Sequence, residues 1–392
     1  MLNYSVAELR ITNKMKMKKF LTMAAIAAIC VPMLTACSDD EDGTSNVPPT
    51  ESQLVEGIFL VNSGNSKNQI PGSLTYIGKD GSTTANAFAT ANGRVLGNTP
   101  NDVLVYGSKL YIVVTGENTV EVVDKTTLKS IKQISTTELM GTDKGKQPRR
   151  LAAGGAHVYL STFDGYVAAI DTTEYTATKI YQVGSYPEGM ACDNGNLYVA
   201  NSDYGQGINP SISKINLETG EVTDFKNELI KNPTSLVCTN GNLYILDYGS
   251  YDASWNQIGA GVYCLKSGIV SKVADATMMA VDTNHNLIYT INAPYTVSGT
   301  TPTFNVYDIN SGTTKTFITG EDLFSPAAIT VNTTTGDVYI ASYRESADTG
   351  FADYAANGYV NQYTSAGVFV KQYEAGVSPT AFALNFSNVS LK

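Results

Sequence analysis

The sequence predicts an all-β fold assembled from a repeated four-stranded unit, and three observations carry that expectation. A proline stands eleven residues before a tyrosine four times over, at Pro100 and Tyr111, Pro148 and Tyr159, Pro187 and Tyr198, and Pro233 and Tyr244. Between the members of each pair, one apolar run turns at an Asn-Gly-like dipeptide into a second, the pattern of a β-hairpin. Successive units of about 40 to 50 residues leave room for two further short strands, which is the size of a β-propeller blade. Composition agrees: 43% hydrophobic and 16% charged residues, with 24 tyrosines and 34 glycines, suit a folded β-rich body.

Taken in chain order, residues 1–36 read as a secretory signal. Lys14, Lys16, Lys18 and Lys19 precede the apolar run "FLTMAAIAAICVPML". A basic flank, a short apolar core and small residues before a cut site describe a signal peptide rather than a membrane span. The segment "MLNYSVAELRITNK" lies ahead of that flank, so Met15 and Met17 are alternative starts. Leu34-Thr35-Ala36-Cys37 resembles the bacterial lipobox, which implies that Cys37 is the lipidated first residue of the mature chain.

Residues 37–56 carry "SDDEDGTSNVPPTESQ", which has no apolar surface to bury and reads as a flexible tether. At ~3.3 Å per residue it reaches at most ~60 Å from the anchor. The acidic residues after Cys37 resemble a signal that directs certain Gram-negative lipoproteins to the outer face of the outer membrane. Loss of residues 1–36 removes five positive charges and one negative, taking the formal charge from −10 to −14. Such a surface repels phosphate backbones and excludes nucleic acid as an expected partner. Cys192, Cys238 and Cys264 remain in the body, an odd number at no zinc spacing. Buried free thiols are the favoured reading of Cys192 and Cys238.

Residues 57–392 form the predicted propeller. Each unit supplies four strands, A to D from the axis outward. Two later units, "ATMMAVDTNHNLIYTINA" and "SPAAITVNTTTGDVYIAS", use a slightly longer turn, and the first of them lacks the proline. The C-terminal "SPTAFALNF" begins a further copy and stops after one strand, while "GIFLVNSG" near the start supplies what is missing. Seven blades result, the last strand closing the ring so that no sheet edge stays open.

Antiparallel order puts the B–C and D–A loops on one face and the A–B and C–D turns on the other. The second set is short, as in "DNGN" and "LETG". The first is long and rich in aromatic residues. Trp255, Tyr248 and Tyr251 lie in one B–C loop, with Tyr204, Tyr295 and Tyr343 in corresponding loops and Phe163 and Tyr166 in a shorter one. Such a rim suits a flat, partly apolar ligand or a protein partner, although each ring also has a plain role in packing its own loop. Asn101, Arg149, Glu188 and Thr234 follow the blade prolines and are expected at the axis on that face. Arg149, Glu188 and Arg344 offer charge-assisted hydrogen bonds to a ligand, or else pair with one another across the channel. The two histidines, His157 and His285, fall at A–B turns on the opposite face, badly placed for a shared metal or proton relay. No catalytic residues, metal site or cofactor are expected.

The repeat resembles the YncE-like seven-bladed propellers over residues 57 to about 386. Combined with the lipobox and acidic tether, it resembles the surface lipoproteins that capture cobalamin. That resemblance implies a propeller seated over a TonB-dependent outer-membrane transporter, with the vitamin as ligand. A cell-envelope adhesion or scaffold protein binding proteins or glycans stands beside it, as does, less favoured, an enzyme of the propeller lyase or lactonase type.

Overall fold

A computed structural model describes residues 54–297, 299–320 and 323–387. The signal segment, Cys37 and the tether up to residue 53 lie outside the described residues. Seven four-stranded antiparallel sheets stand around a common axis as a seven-bladed β-propeller. Blade 1 is composite. From the axis outward it runs Pro379–Phe386, Val55–Asn62, Ser73–Gly78 and Thr83–Thr84, so the C-terminal strand does close the ring. Its register pairs Phe59 with Ala383 and Leu60 with Phe382. Blades 2 to 7 follow simple order, with A strands at Pro100–Tyr106, Pro148–Gly154, Pro187–Asp193, Pro233–Thr239, Met278–Asp282 and Pro326–Val331.

The core lies between blades, and this explains why the B strands read as continuous apolar runs. In Lys109–Val114, Leu110, Ile112 and Val114 point into the core shared with blade 1, beside Phe59, Val61 and Val103. Tyr111 and Val113 point the other way, into the core shared with blade 3, beside Leu104, Leu151 and Leu160. Alternation sends successive side chains to two different cores, so both faces of the strand must be apolar. The A–B turns are as tight as the sequence indicated. Asn194-Gly195 and Asn240-Gly241 have positive φ at both residues, as a two-residue hairpin turn with the correct twist requires.

The blade proline has a structural task on the long-loop face. The residue before it lies in the left-handed region at Thr99, Gln147, Tyr186, Ser325 and Ser378. Its carbonyl accepts a hydrogen bond from the first residue after strand B: Thr115, Phe163, Ser202, Tyr343 and Ser63 respectively, at 2.8 to 3.2 Å. In blade 5, Asn232 plays the same part for Tyr248 at 2.9 Å. In blade 6, where no proline stands, the Thr277 hydroxyl oxygen accepts from Ala293 N–H at 3.1 Å. A bulge follows the proline in blades 2 to 5 and in blade 7. Bulges re-aim side chains, and here Asn101, Arg149 and Glu188 meet at that end of the A strands, while Thr234 donates to the Leu246 carbonyl of its own blade at 3.3 Å.

Candidate functional site: the long-loop face

The loops of this face are elaborate, spanning 202–210, 248–260, 293–302 and 343–356 between strands B and C, whereas the A–B turns of blades 2 to 5 hold two residues each. Most of the large apolar side chains left exposed lie on it, among them Tyr204, Ile208, Tyr251, Trp255, Val297 and Phe351. A concentration of this kind on one face marks an interaction surface.

Beneath the rim, the axis is filled by charge. Arg149 makes a two-pronged contact with Glu188, Nε to Oε2 at 3.2 Å and Nη2 to Oε1 at 3.0 Å. Its Nη1 donates to Asn101 Oδ1 at 3.1 Å, and Asn101 Nδ2 donates to the Arg149 carbonyl at 2.8 Å. Arg150 Nη1 donates to the Asn101 carbonyl at 3.0 Å and lies 3.6 Å from Asp102 Oδ1. Asp102 Oδ2 accepts from Leu151 N–H at 2.8 Å. Burial raises the Asp102 carboxyl to about 6, against the pull of Arg150. Arg149 and Glu188, read from sequence as ligand-orienting groups, therefore face each other. All five side chains are buried and form a floor beneath the rim.

Aromatic rings stand on that floor in two groups. In the first, the Arg149 guanidinium lies 4.3 Å from the centre of the Phe163 ring, a cation–π contact. Phe163 meets Tyr186 at 5.3 Å and Tyr204 at 5.7 Å, both edge-on, and Tyr186 lies 5.0 Å from Tyr204. Tyr186 was missed by the sequence reading, which attended to the B–C loops. Its signal was its position immediately before Pro187. Tyr248 occupies the loop position equivalent to Phe163. Burial pushes its hydroxyl pKa up, with the charges of Arg150 and Glu188 acting in opposite directions.

The second group runs from Tyr251 past Tyr295 to Tyr354. Burial raises the outer two phenols, and the electrostatic influence of Tyr295 reaches both. Tyr354, another ring not foreseen, packs 4.9 Å from Tyr343. Two expectations need correction here. Tyr343 is 2% exposed, because the residue directly after strand B is drawn down by its bond to the Ser325 carbonyl and roofed by its own loop. Arg344 faces away from the axis, donating to Glu374 Oε1 on the outer strand of its blade at 2.6 Å, over the Tyr359 ring. Tyr166 opens a C strand and lies under Lys144, outside both groups.

Trp255 is carried on a small hairpin, Ser250–Tyr251 paired with Gln257–Ile258. Asp252 fixes its tip, accepting from the backbone of Ser254 and Asn256 at 2.8 Å each and from Asn256 Nδ2 at 3.1 Å. Asp247, buried at the base, accepts from the N–H of Gly249, Lys231 and Asn232. Gln257 ties the hairpin to blade 6, donating its N–H to the Tyr295 carbonyl at 2.8 Å and accepting from Tyr295 N–H at 3.0 Å. Trp255 itself has positive φ and is 49% exposed. A large ring held outward by so many bonds is presented rather than packed away.

On the opposite face, His157 opens a B strand and His285 bonds Asp282 at 2.8 Å within an A–B turn. Among the described residues, no group of three or more His, Cys, Asp and Glu side chains is placed to share a metal ion. No described helix is long and apolar enough to cross a membrane. Cys192, Cys238 and Cys264 are partly buried and form no disulfide among the described residues, and burial pushes the Cys238 thiol up to about 12.

Comparison with known proteins places this architecture. The family model described as "Domain of unknown function (DUF5074)" matches residues 56–378. No curated protein matches the chain. Among solved structures, a candidate 6-phosphogluconolactonase from Bacteroides uniformis is similar at a TM-score of 0.57 and 11% identity, over 85% of this chain and 100% of the other. Hydrazine synthase from Kuenenia stuttgartiensis is similar at a TM-score of 0.55 and 14% identity, over 73% of this chain and 89% of the other. At such identities these likenesses speak for the fold alone.

Proposed function

The chain belongs to the DUF5074 family of propeller domains, and from that premise we propose that it is a non-enzymatic binding protein whose long-loop face captures a large amphipathic ligand. A propeller domain of this kind is compatible with a binding or scaffold role. The observation that carries the proposal is the outward, pre-organised display of Tyr204, Tyr251 and Trp255 on one face of the ring, above a floor in which Arg149 and Glu188 are paired with each other. Rigid aromatic presentation lowers the ordering cost of binding, and exposed Trp and Tyr are the side chains that dominate binding energy at such surfaces.

Cobalamin is the first ligand to test. It is broad, apolar in its ring and rimmed by amides, which matches a floor of rings with phenol and backbone groups between them. In this reading the lipid on Cys37 holds the propeller at the outer surface of the outer membrane, and a TonB-dependent transporter receives the vitamin. Calorimetry of the purified protein with cyanocobalamin is expected to show saturable binding. Trp255→Ala or Tyr204→Ala should weaken it roughly ten- to a hundredfold, about 1.5–3 kcal/mol, with thermal midpoints little changed because both rings are exposed. No heat at high vitamin concentration sinks the cobalamin assignment. A protein or glycan of the cell envelope is the second reading. Exposed Ile208, Val297 and Phe351 favour it, because they carry the apolar rim outward from the rings across blades 4 to 7.

A further inference from the structure

We propose that the short-turn face docks on the lipid surface, so that the long-loop face looks away from the membrane to which the chain is tethered. This rests on one part of the reading above, the lipid on Cys37, and not on the identity of the ligand. The chain enters and leaves the ring on the short-turn face. Leu54 and Ser387, the first and last described residues, stand where an A–B turn would join Pro379–Phe386 to Val55–Asn62. Ser387 N–H donates to the Leu54 carbonyl at 2.7 Å, and Leu54 N–H donates to Ser387 Oγ at 3.2 Å. An anchor at Cys37 therefore pulls on that face.

The face is divided by charge. The C–D turns of blades 1 to 4, at 79–82, 125–129, 172–176 and 217–221, each hold a charged residue, among them Lys79, Lys125, Glu174 and Glu218. Those of blades 5 to 7, at 267–268, 309–312 and 364–368, hold none. On this neutral sector Ile269 and Val368 are 71% and 62% exposed, with Phe369 half-exposed beside Val368 and Leu54 exposed on the adjoining blade 1. The Phe369 ring stands edge-on to Tyr363 at 5.9 Å. Apolar tips on separate blades make no pocket for a small molecule. They suit a broad surface that yields to each of them, the boundary between lipid headgroups and acyl chains.

The tether favours the same orientation. Residues 38–53, read from sequence as the tether, number sixteen. A coil of sixteen residues spans ~22 Å on average. Bringing the long-loop face to the membrane takes the chain round the edge of the ring, across two strand spacings of ~4.8 Å and a strand length of ~20 Å, about 30 Å before any loop is counted. Full extension, at ~55 Å, still covers that path. The body can thus rest with its site outward and tip over to pass a ligand to a transporter. Shallow contacts suffice for docking, because a short tether holds the body at roughly millimolar effective concentration.

Trp255 is the only tryptophan and stands on the long-loop face, so its emission reports the orientation. The mature lipidated protein is placed in phosphatidylcholine vesicles whose acyl chains are brominated near the headgroup, and co-flotation is checked first. Trp255 is expected to stay open to aqueous acrylamide and to lose no emission to bromine. The double variant Trp255→Phe, Phe369→Trp moves the probe to the other face. Brominated chains should dim it at least about twofold, since interfacial side chains sink ~5–10 Å toward the acyl boundary. Adding Ile269→Asp and Val368→Asp should restore that emission. All four positions are exposed, so thermal midpoints should stay near wild type. Bromine quenching of Trp255, or none in the double variant, overturns the orientation. Quenching that survives both aspartates overturns the assignment of docking to these tips. Protein that fails to float contradicts lipidation of Cys37 rather than this surface. An N-terminal hexahistidine tag on nickel-chelating lipid then supplies the anchor, and the same two emissions decide.

Discussion

Asp102 is buried at the axis, and its carboxyl is raised to about 6 because desolvation outweighs the attraction of Arg150. The unfolded chain titrates this group near ~3.9. The folded protein therefore holds the proton more tightly, and the stability linked to it is full below about pH 4 and is lost as pH rises through about 6. Asp102→Asn keeps an acceptor for Leu151 N–H while removing the titration. Thermal unfolding should show wild type losing about 2 kcal/mol relative to the variant between pH 4 and 6. A difference that stays constant over that window would mean Asp102 titrates normally. At the same scale, Tyr343 and Trp255 show where residue type stops informing. Both are aromatic and both sit in B–C loops, yet one is sealed and the other is displayed. Their loops decide this: Tyr343 is covered by Tyr354 of its own loop, and Trp255, the eighth residue after strand B, rides a hairpin tip.

At the scale of the element, the hairpin that carries Trp255 is a separable addition to blade 5. Strands Asn242–Asp247 and Gly261–Lys266 pair with each other whatever intervenes. Gly249 is its hinge, for φ is positive there and an added Cβ would collide with the Ile258 carbonyl oxygen. Gly249→Ala should cost about 1–3 kcal/mol locally and open residues 250–258 to limited proteolysis, while the circular dichroism of the blades persists. Cutting elsewhere in the ring before this segment would count against it. The blades themselves were legible from sequence because Pro, Asn-Gly turns and two-sided apolar strands each impose one local geometry. The left-handed residue before five of the blade prolines was not legible. It is stabilised by a bond to a loop of the same blade, and Thr99, Gln147 and Ser325 are not residue types that seek positive φ.

For the whole molecule, closure is the condition of stability. Without residues 379–392, Val55–Asn62 becomes an open innermost edge and Phe59, Leu60 and Val61 lose the cover of Ala381, Phe382 and Ala383. Such a truncation is expected to abolish the cooperative thermal transition and to aggregate on gel filtration, because an unpaired apolar strand edge templates association. A truncated ring that melted as sharply as wild type would contradict this. The closed ring also sets the division of labour between faces, since every blade turns its B–C and D–A loops to the same side.

The amino-acid sequence by itself determined the repeat, the number of blades, their closure and the face that bears the long aromatic loops. Those follow from periodicity and turn chemistry, which act over a few residues. Only the tertiary structure decided which side chains are available. Arg149 and Glu188 come from different blades and meet across a bulge, Arg344 turns outward to a partner thirty residues away, and Tyr343 disappears beneath Tyr354. Pairing of groups distant in the chain depends on how blades stack, and no local pattern records it.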